Sequence, residues 1–390
     1  MHSDTVYMFC NHPFELSCFA GISNVIREVR KDTKITLILD SMPYFGKTEV
    51  DFALKYFDNV ERVGYCDYQA GRIGFEAIAG MVKGFVSTYR FSRQLRAINI
   101  KPNSFVFLIS GRFLVSNVLV KVLRKFNPTL VYITRRHLES VDNYVFSYRR
   151  SFVPNLYHLF FGAFFVDYFF FRDYGGWPYI QFRQNPYHYT FYTKAPGEKL
   201  LPDEVFYPFY FPERLKGGSP QGTVVLFGSA FTGWRDIDRG KFISRFNEII
   251  DHIRIKHAGS KLIYKPHPLE KNEKELLNLS GFVVDESATS ELLFMRDPSI
   301  KTVYSVASTS SRTAPCFGIR SYTLFRLFDL PPLVRTRFES NCYDLPREAM
   351  VESLDELRNS EADKMAPLDF TPLIRSSTVK MLEQIGFLKE

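Results

Sequence analysis

The chain has 390 residues, too many for one ordinary core, so two domains of roughly 100–200 residues each are the default expectation. Its 45% hydrophobic and 24% charged composition is that of a folded globular protein, with phenylalanine (39) and tyrosine (22) unusually abundant. The formal net charge of +8 suits an anionic partner: nucleic acid, an acidic membrane surface, or acidic glycans and nucleotides. No dense Lys/Arg run is present, which argues against a nucleic-acid tail. The cysteines, Cys10, Cys18, Cys66, Cys316 and Cys342, are odd in number and form no CxxC pair. That disfavours a disulfide framework or zinc site and suits a reducing cytosol.

Met1–Asp4 is polar, and the apolar run behind it is too short for an export signal. The first half then alternates two periods. "TVYMFC" (5–10) reads as a buried strand and "PFELSCFAGISNVIREVRK" (13–31) as an amphipathic helix. "KITLILD" (34–40), "ERVGYC" (61–66) and "SFVFLIS" (104–110) read as further strands, "RFLVSNVLVKVLRKF" (112–126) as a helix, and "TLVYIT" (129–134) as a strand. Strands alternating with helices imply a parallel sheet covered on both faces. The most apolar segment, Leu156–Phe171, contains His158 and Asp167 and falls short of the ~20 residues that span a bilayer. It reads as a buried helix running into a buried strand, with interfacial membrane contact as the second reading.

From Lys194 to Gly222 the chain is rich in proline and glycine and has no sustained period, the texture of a linker. The alternation then restarts. "TVVLFGS" (223–229) is a strand, "RGKFISRFNEIIDHIRIKHAG" (239–259) a helix with a glycine stop, and "KLIYKP" (261–266) a strand. "GFVVDE" (281–286), "KTVYSVAS" (301–308) and "RSYTLF" (320–325) follow as strands, and a helix near "SSTVKMLEQIGFL" (376–388) closes the chain. The architecture expected is α/β: a doubly wound domain over 1–195, a linker over 196–222 and a second doubly wound domain over 223–390, its last helix free to cross back.

Four clusters stand where such folds bind ligands, at strand ends. "KPHP", Lys265–Pro268, holds an imidazole between two prolines that restrict the backbone on both sides. "STSSRT", Ser308–Thr313, offers four hydroxyls in a row at a helix start, where one would suffice for a cap; hydroxyls and free amides there suit a phosphate. Glu291, in the first turn of a helix, is either an ordinary acid at a helix N-terminus or a carboxylate for both hydroxyls of a ribose. "ITRRHLESVDNYVFSY", Ile133–Tyr148, offers Glu139 and Asp142 as general bases beside Arg135, Arg136 and His137; taken alone, the segment reads better as a solvated charged loop. Asp236-Ile-Asp238 has the spacing of a metal-binding D-x-D pair, but it precedes a helix and suits capping. "FGSAFTG" carries glycines after a strand without the G-x-G-x-x-G or P-loop spacing.

These pieces in this order resemble the bacterial sialyltransferases and polysialyltransferases of the GT-B fold. That family carries a His-Pro element, matched by His267-Pro268, and a Ser-Ser/Thr element with a later alanine and glycine, matched by Ser308, Thr309, Ala314 and Gly318. The two elements lie 41 residues apart. An acidic element followed by a tyrosine is matched by Glu139 and Tyr144, with Ser140 and Val141 replacing the second acid and the glycine, which keeps Asp142 as an alternative. The opening "FCNHPFEL" is similar to the family's first strand and loop, where Asn11 and His12 would face the cleft between the domains.

The resemblance implies an inverting transfer of sialic acid or a related acidic sugar from a CMP-activated donor to a glycan hydroxyl, the acceptor being lipooligosaccharide or capsule. Glu139, with Asp142 in reserve, takes the acceptor's proton. His267, as a cation or hydrogen-bond donor, and the hydroxyls of Ser308 and Thr309 stabilise the leaving phosphate. Glu291 holds the ribose, Lys265, Pro268, Gly228 and Ser229 line the nucleotide pocket, and Asn11, His12, Arg135 and Arg136 face the acceptor. A single donor phosphate needs less neutralisation, so neither a metal nor another cofactor is implied. The partners implied are the donor, a glycan acceptor that is free or lipid-linked, and an anionic membrane surface met peripherally from the cytoplasm; nucleic acid is not among them. Alternatives from the same class are a transferase using CMP-Kdo, another nonulosonate or a nucleotide diphosphate sugar. From a different class, the replaced acid and glycine allow an inactive nucleotide- or glycan-binding protein.

Overall fold

Continuous apolar runs become the central strands of two wholly parallel sheets, because a parallel strand covered by helices on both faces buries every side chain. The computed structural model describes residues 5–40, 46–64, 75–109, 114–135, 187–192, 201–211, 222–231, 237–267, 270, 272–286, 289–308, 310–342, 345, 347–359 and 370–388. One compact unit takes Met1–Tyr192, Leu200–Pro208 and Ser376–Glu390, and the other Thr193–Lys199 and Phe209–Arg375.

In the first unit, strands β1 (Thr5–Cys10), β2 (Lys34–Asp40), β3 (Asn59–Val63), β4 (Phe105–Ile109), β5 (Thr129–Arg135), β6 (His188–Tyr192) and β7 (Glu204–Phe206) form one sheet. Their order is β3-β2-β1-β4-β5-β6-β7, and every pair is parallel. Helices α1 (Pro13–Val29), α2 (Lys47–Tyr56), α3 (Phe75–Ala97) and α4 (Leu114–Leu123) lie between the strands. Helix α1 starts where it does because Pro13 opens its first turn and the His12 ring caps it, Nδ1 accepting from the Phe14 N–H at 3.2 Å. Cys10 and Cys18 are buried thiols here, as Cys316 and Cys342 are in the other unit.

Two local readings are corrected. The strand read at 61–66 instead covers Asn59–Val63, an edge strand whose residues are mostly exposed and carry little apolar signal. Residues 204–206, inside the stretch read as linker, form β7, and Val205, Phe206, Tyr207, Phe209 and Tyr210 are buried.

The second unit has strands β8 (Thr223–Phe227), β9 (Lys261–Lys265), β10 (Phe282–Val284), β11 (Ile300–Ser305) and β12 (Arg320–Thr323), all parallel in the order β10-β9-β8-β11-β12. Its helices are α5 (Arg239–Lys256), α6 (Ser290–Arg296), the single turn α7 (Ser310–Thr313), α8 (Pro332–Asn341) and α9 (Leu354–Asn359). Asp238 caps α5, accepting from the Lys241 N–H at 3.1 Å. Phe242, Phe246, Ile249, Ile250 and Ile253 form its buried face at helical spacing, each burial worth about 1.5–3 kcal/mol. The chain turns away after it at Gly259, whose φ of +93° is left-handed.

Helix α10 (Thr371–Gln384) brings the end of the chain back to the first unit. Ser377 Oγ accepts from the Phe206 N–H at 3.2 Å, Arg30 donates to the Phe387 carbonyl at 3.0 Å, and the Phe105 and Phe387 rings meet edge-on at 5.2 Å. Among the described residues no helix is long and apolar enough to cross a membrane. The two doubly wound sheets are those the strand–helix alternation predicts.

Candidate functional site

The second sheet reverses its order between β8 and β11, and doubly wound sheets bind ligands in the crevice that such a reversal opens beyond the strand ends. Register places Phe227, Lys265 and Ser305 side by side at the ends of β8, β9 and β11. The Gly228 N–H donates to the Lys265 carbonyl at 2.8 Å, so the chains leave the sheet in contact. Gly228-Ser229, Pro266-His267 and Val306–Ser308 therefore emerge at one edge. Ser229 and Lys265 are buried there.

The His267 turn is tied down by a residue not singled out from the sequence. Glu270 accepts from the Tyr264 hydroxyl at 2.7 Å through Oε1 and from the His267 N–H at 2.9 Å through Oε2, while its own N–H donates to the His267 carbonyl at 2.8 Å. Gly228 makes room for this brace, since a Cβ there would stand 2.2 Å from Glu270 Oε2 and 2.4 Å from the Tyr264 hydroxyl. Burial raises the Glu270 carboxyl, its hydrogen bonds with Tyr264 and His267 opposing. Burial, reinforced by the Glu270 charge, holds the Tyr264 hydroxyl in its protonated, donating form. Burial also lowers the His267 pKa from 6.5, against the pull of Glu273. Of the two expected forms, cation or neutral donor, this environment favours the neutral ring.

The serine turn after β11 is a hydroxyl network. Ser305 Oγ accepts from the Ser308 N–H at 3.1 Å and is hydrogen-bonded to Ser311 Oγ at 2.5 Å. Ser308 Oγ accepts from the Ser310 N–H at 3.2 Å, which is the capping role a serine at a helix start ordinarily plays. The turn is joined to α6: Ser310 Oγ donates to Ser290 Oγ at 2.6 Å, and Thr313 Oγ1 donates to Glu291 Oε1 at 3.0 Å. Glu291 and the serine turn thus belong to one network, although Ser290 carried no signal in the sequence. Helix α7 is one turn long, so hydroxyls and local N–H groups, rather than a long helix dipole, are what it offers an anion.

At the corresponding edge of the first sheet, Asn11 is buried with its N–H on Glu15 Oε2 at 2.8 Å, beside the capping His12. Asp40, at the end of β2, is completely buried. Among the described residues neither of its oxygens, nor Asn11 Oδ1, has a hydrogen-bond partner. Burial raises the Asp40 carboxyl from 3.8 to about 7. Its only trace in the sequence is an acid closing an apolar strand.

Glu139, Asp142, Arg136, Pro268 and Thr309 lie outside the described residues, as do His137, Tyr144, Asp236 and Leu156–Phe171; Arg135 closes β5. Among the described residues no three His, Cys, Asp or Glu side chains gather closely enough to hold a metal ion.

Two parallel-sheet Rossmann-like domains in one chain define the GT-B fold class. The chain is similar in fold to the UDP-GlcNAc 2-epimerase from Neisseria meningitidis bound to UDP-GlcNAc, with a TM-score of 0.50, 11% identity, and 98% of this chain and 100% of that chain covered. Weaker likenesses are to the UGT71G1 protein of Medicago truncatula complexed with UDP-glucose (TM-score 0.48, 11% identity, 99% and 98% covered) and to the calicheamicin glycosyltransferase CalG4 (0.46, 12%, 98% and 94%). No family model and no curated protein matches the chain by sequence. At these identities the likeness is one of fold.

Proposed function

We propose that the chain is a glycosyltransferase that uses a nucleotide sugar and binds the nucleotide at the β8–β9–β11 edge. The observation that carries this reading is the convergence there of Gly228-Ser229, the Glu270-braced His267 turn and the Ser305–Ser308–Ser310 network. In this reading the neutral His267 ring donates to the leaving phosphate, Lys265 supplies positive charge, and Ser308 and Thr309 add hydroxyl donors. A donor already aimed at developing charge is worth about 3 kcal/mol, because nothing need reorganise during reaction. Glu291 takes the ribose hydroxyls, Asn11, His12, Arg135 and Arg136 meet the acceptor, and Glu139 or Asp142 is the base.

A uridine diphosphate sugar is the donor we favour, because the Neisseria epimerase that shares the fold holds UDP-GlcNAc. A CMP-activated acidic sugar is the second reading, supported by the pairing of His267-Pro268 with Ser308-Thr309. Thermal melting with UDP, CMP, GDP and ADP, with and without manganese, tests both. A nucleotide at a hundred times its Kd raises stability by about 2.7 kcal/mol, since it binds the folded state alone. We expect the largest shift from UDP; a larger one from CMP selects the second reading, and no shift from any nucleotide refutes the site. Incubation with the donor should release free nucleotide, and a product epimerised with its nucleotide still attached would refute transfer.

A further inference from the structure

Helix α3 presents a face whose composition is unusual for solvent. Val82, Val86 and Tyr89 are 59%, 40% and 55% exposed. At about 100° per residue they share an arc of roughly 120° with Arg90, Arg93 and Arg96, all three exposed. The opposite side, with Thr88, Phe91, Ser92 and Leu95, is buried, and Phe91 and Leu95 join the core of the first unit. No Asp or Glu occurs from Ala77 to Ala97, and Arg90, Arg93 and Arg96 form no ion pair among the described residues. The three apolar side chains occupy the N-terminal part of this face and the three arginines extend it, over roughly 20 Å of helix.

We propose that this face of α3 docks the protein on an acidic membrane surface, with Val82, Val86 and Tyr89 entering the headgroup boundary and the arginines meeting anionic headgroups. An amphipathic helix lies on a bilayer in this way when its apolar residues gain burial and its cations gain counter-charge at once. Nucleic acid would reward the arginines and leave the valines in water. A second copy packed isologously would set the arginines against themselves. The formal net charge of +8 acts in the same direction as the helix. This docking is independent of which nucleotide the second unit takes.

Flotation of the full chain with vesicles tests it, using phosphatidylcholine alone and phosphatidylcholine mixed with phosphatidylglycerol. We expect partition onto the mixed vesicles only. Release should follow as salt is raised, since the screening length falls from ~8 Å at physiological ionic strength to ~3 Å at 1 M. Each arginine near an acidic surface is worth about a factor of five, so combined Arg90→Gln, Arg93→Gln and Arg96→Gln should weaken partition roughly a hundredfold. Paired Val82→Ser and Val86→Ser should weaken it roughly tenfold, through lost apolar burial. All five substitutions are at exposed positions, and unchanged melting temperatures would show that the variants fold. The proposal is overturned by equal binding to neutral vesicles, by no binding of the wild-type chain to either kind, by an undiminished arginine variant, or by retention in high salt. It is also overturned if the serine pair binds like wild type, which would make the face a plain anion-binding surface, or if the same substitutions dissolve a dimer in solution. The salt series on the wild-type chain stands even if a variant fails to fold.

Discussion

Replacing Asp40 by asparagine should change how stability depends on pH. The carboxyl is completely buried at the end of β2, and among the described residues neither oxygen has a hydrogen-bond partner. Burial penalises its charged form and moves it from 3.8 to about 7 in the folded state. Between these values the folded chain keeps a proton that the unfolded chain has released. Through Asp40 the folded state therefore loses stability as pH rises through that window, by up to 1.36 kcal/mol per unit, and this one contribution is gone once pH is well above 7. A shift of about 3 units amounts to roughly 4 kcal/mol, a large part of the 5–15 kcal/mol that folded domains hold in reserve. Asparagine does not titrate, so the stability of Asp40→Asn minus that of wild type should climb by roughly 4 kcal/mol from about pH 4 to pH 8. Urea denaturation of both proteins across this range measures it, and any constant cost of the amide cancels in the slope. Parallel stability curves would refute the buried, protonated Asp40.

Two further outcomes concern the candidate site. Glu270→Ala should leave the Tyr264 hydroxyl and the His267 N–H without their acceptor, at about 1–3 kcal/mol for each buried group, and should shrink the thermal shift caused by the nucleotide. A variant that melts and binds nucleotide like wild type would show that the brace does not hold the turn. Glu139→Gln should cut turnover roughly a hundredfold to ten-thousandfold while leaving the nucleotide shift intact. A fall confined to Asp142→Asn would move the base there, and normal turnover in both would remove the base from this segment.

Periodicity made the sheets legible wherever burial is complete. The strands β1, β2, β4, β8 and β9 are nearly unbroken apolar runs because both faces of a parallel strand are covered, so their sequence and their environment say the same thing. Asn59–Val63 carries Glu61 and Arg62 at a sheet edge and shows no such run. Glu204–Phe206 is three residues long, too short for a period to form, and proline and glycine on both sides masked it. At the candidate site, His267 and the serine run stood out because prolines and repeated hydroxyls are visible one residue at a time. The Tyr264–Glu270–Gly228 brace was not visible, because it depends on a side chain folding back onto the strand it follows and on space that only a glycine leaves. Whether a lone acid such as Asp40 is solvated or sealed is likewise a property of the packing around it.

The return of the chain end to the first unit bears on synthesis. Arg30 and Phe387 are hydrogen-bonded partners separated by 357 positions, and Phe206 and Ser377 by 171. A nascent chain emerging from the ribosome completes the first sheet long before it can supply Ser377 or Phe387. Throughout translation of the second unit, the Phe105–Phe387 ring contact and the Phe206–Ser377 hydrogen bond cannot yet form. The unit translated first is thus completed only by residues translated after the second unit, and that interval is where a holding chaperone has most to protect.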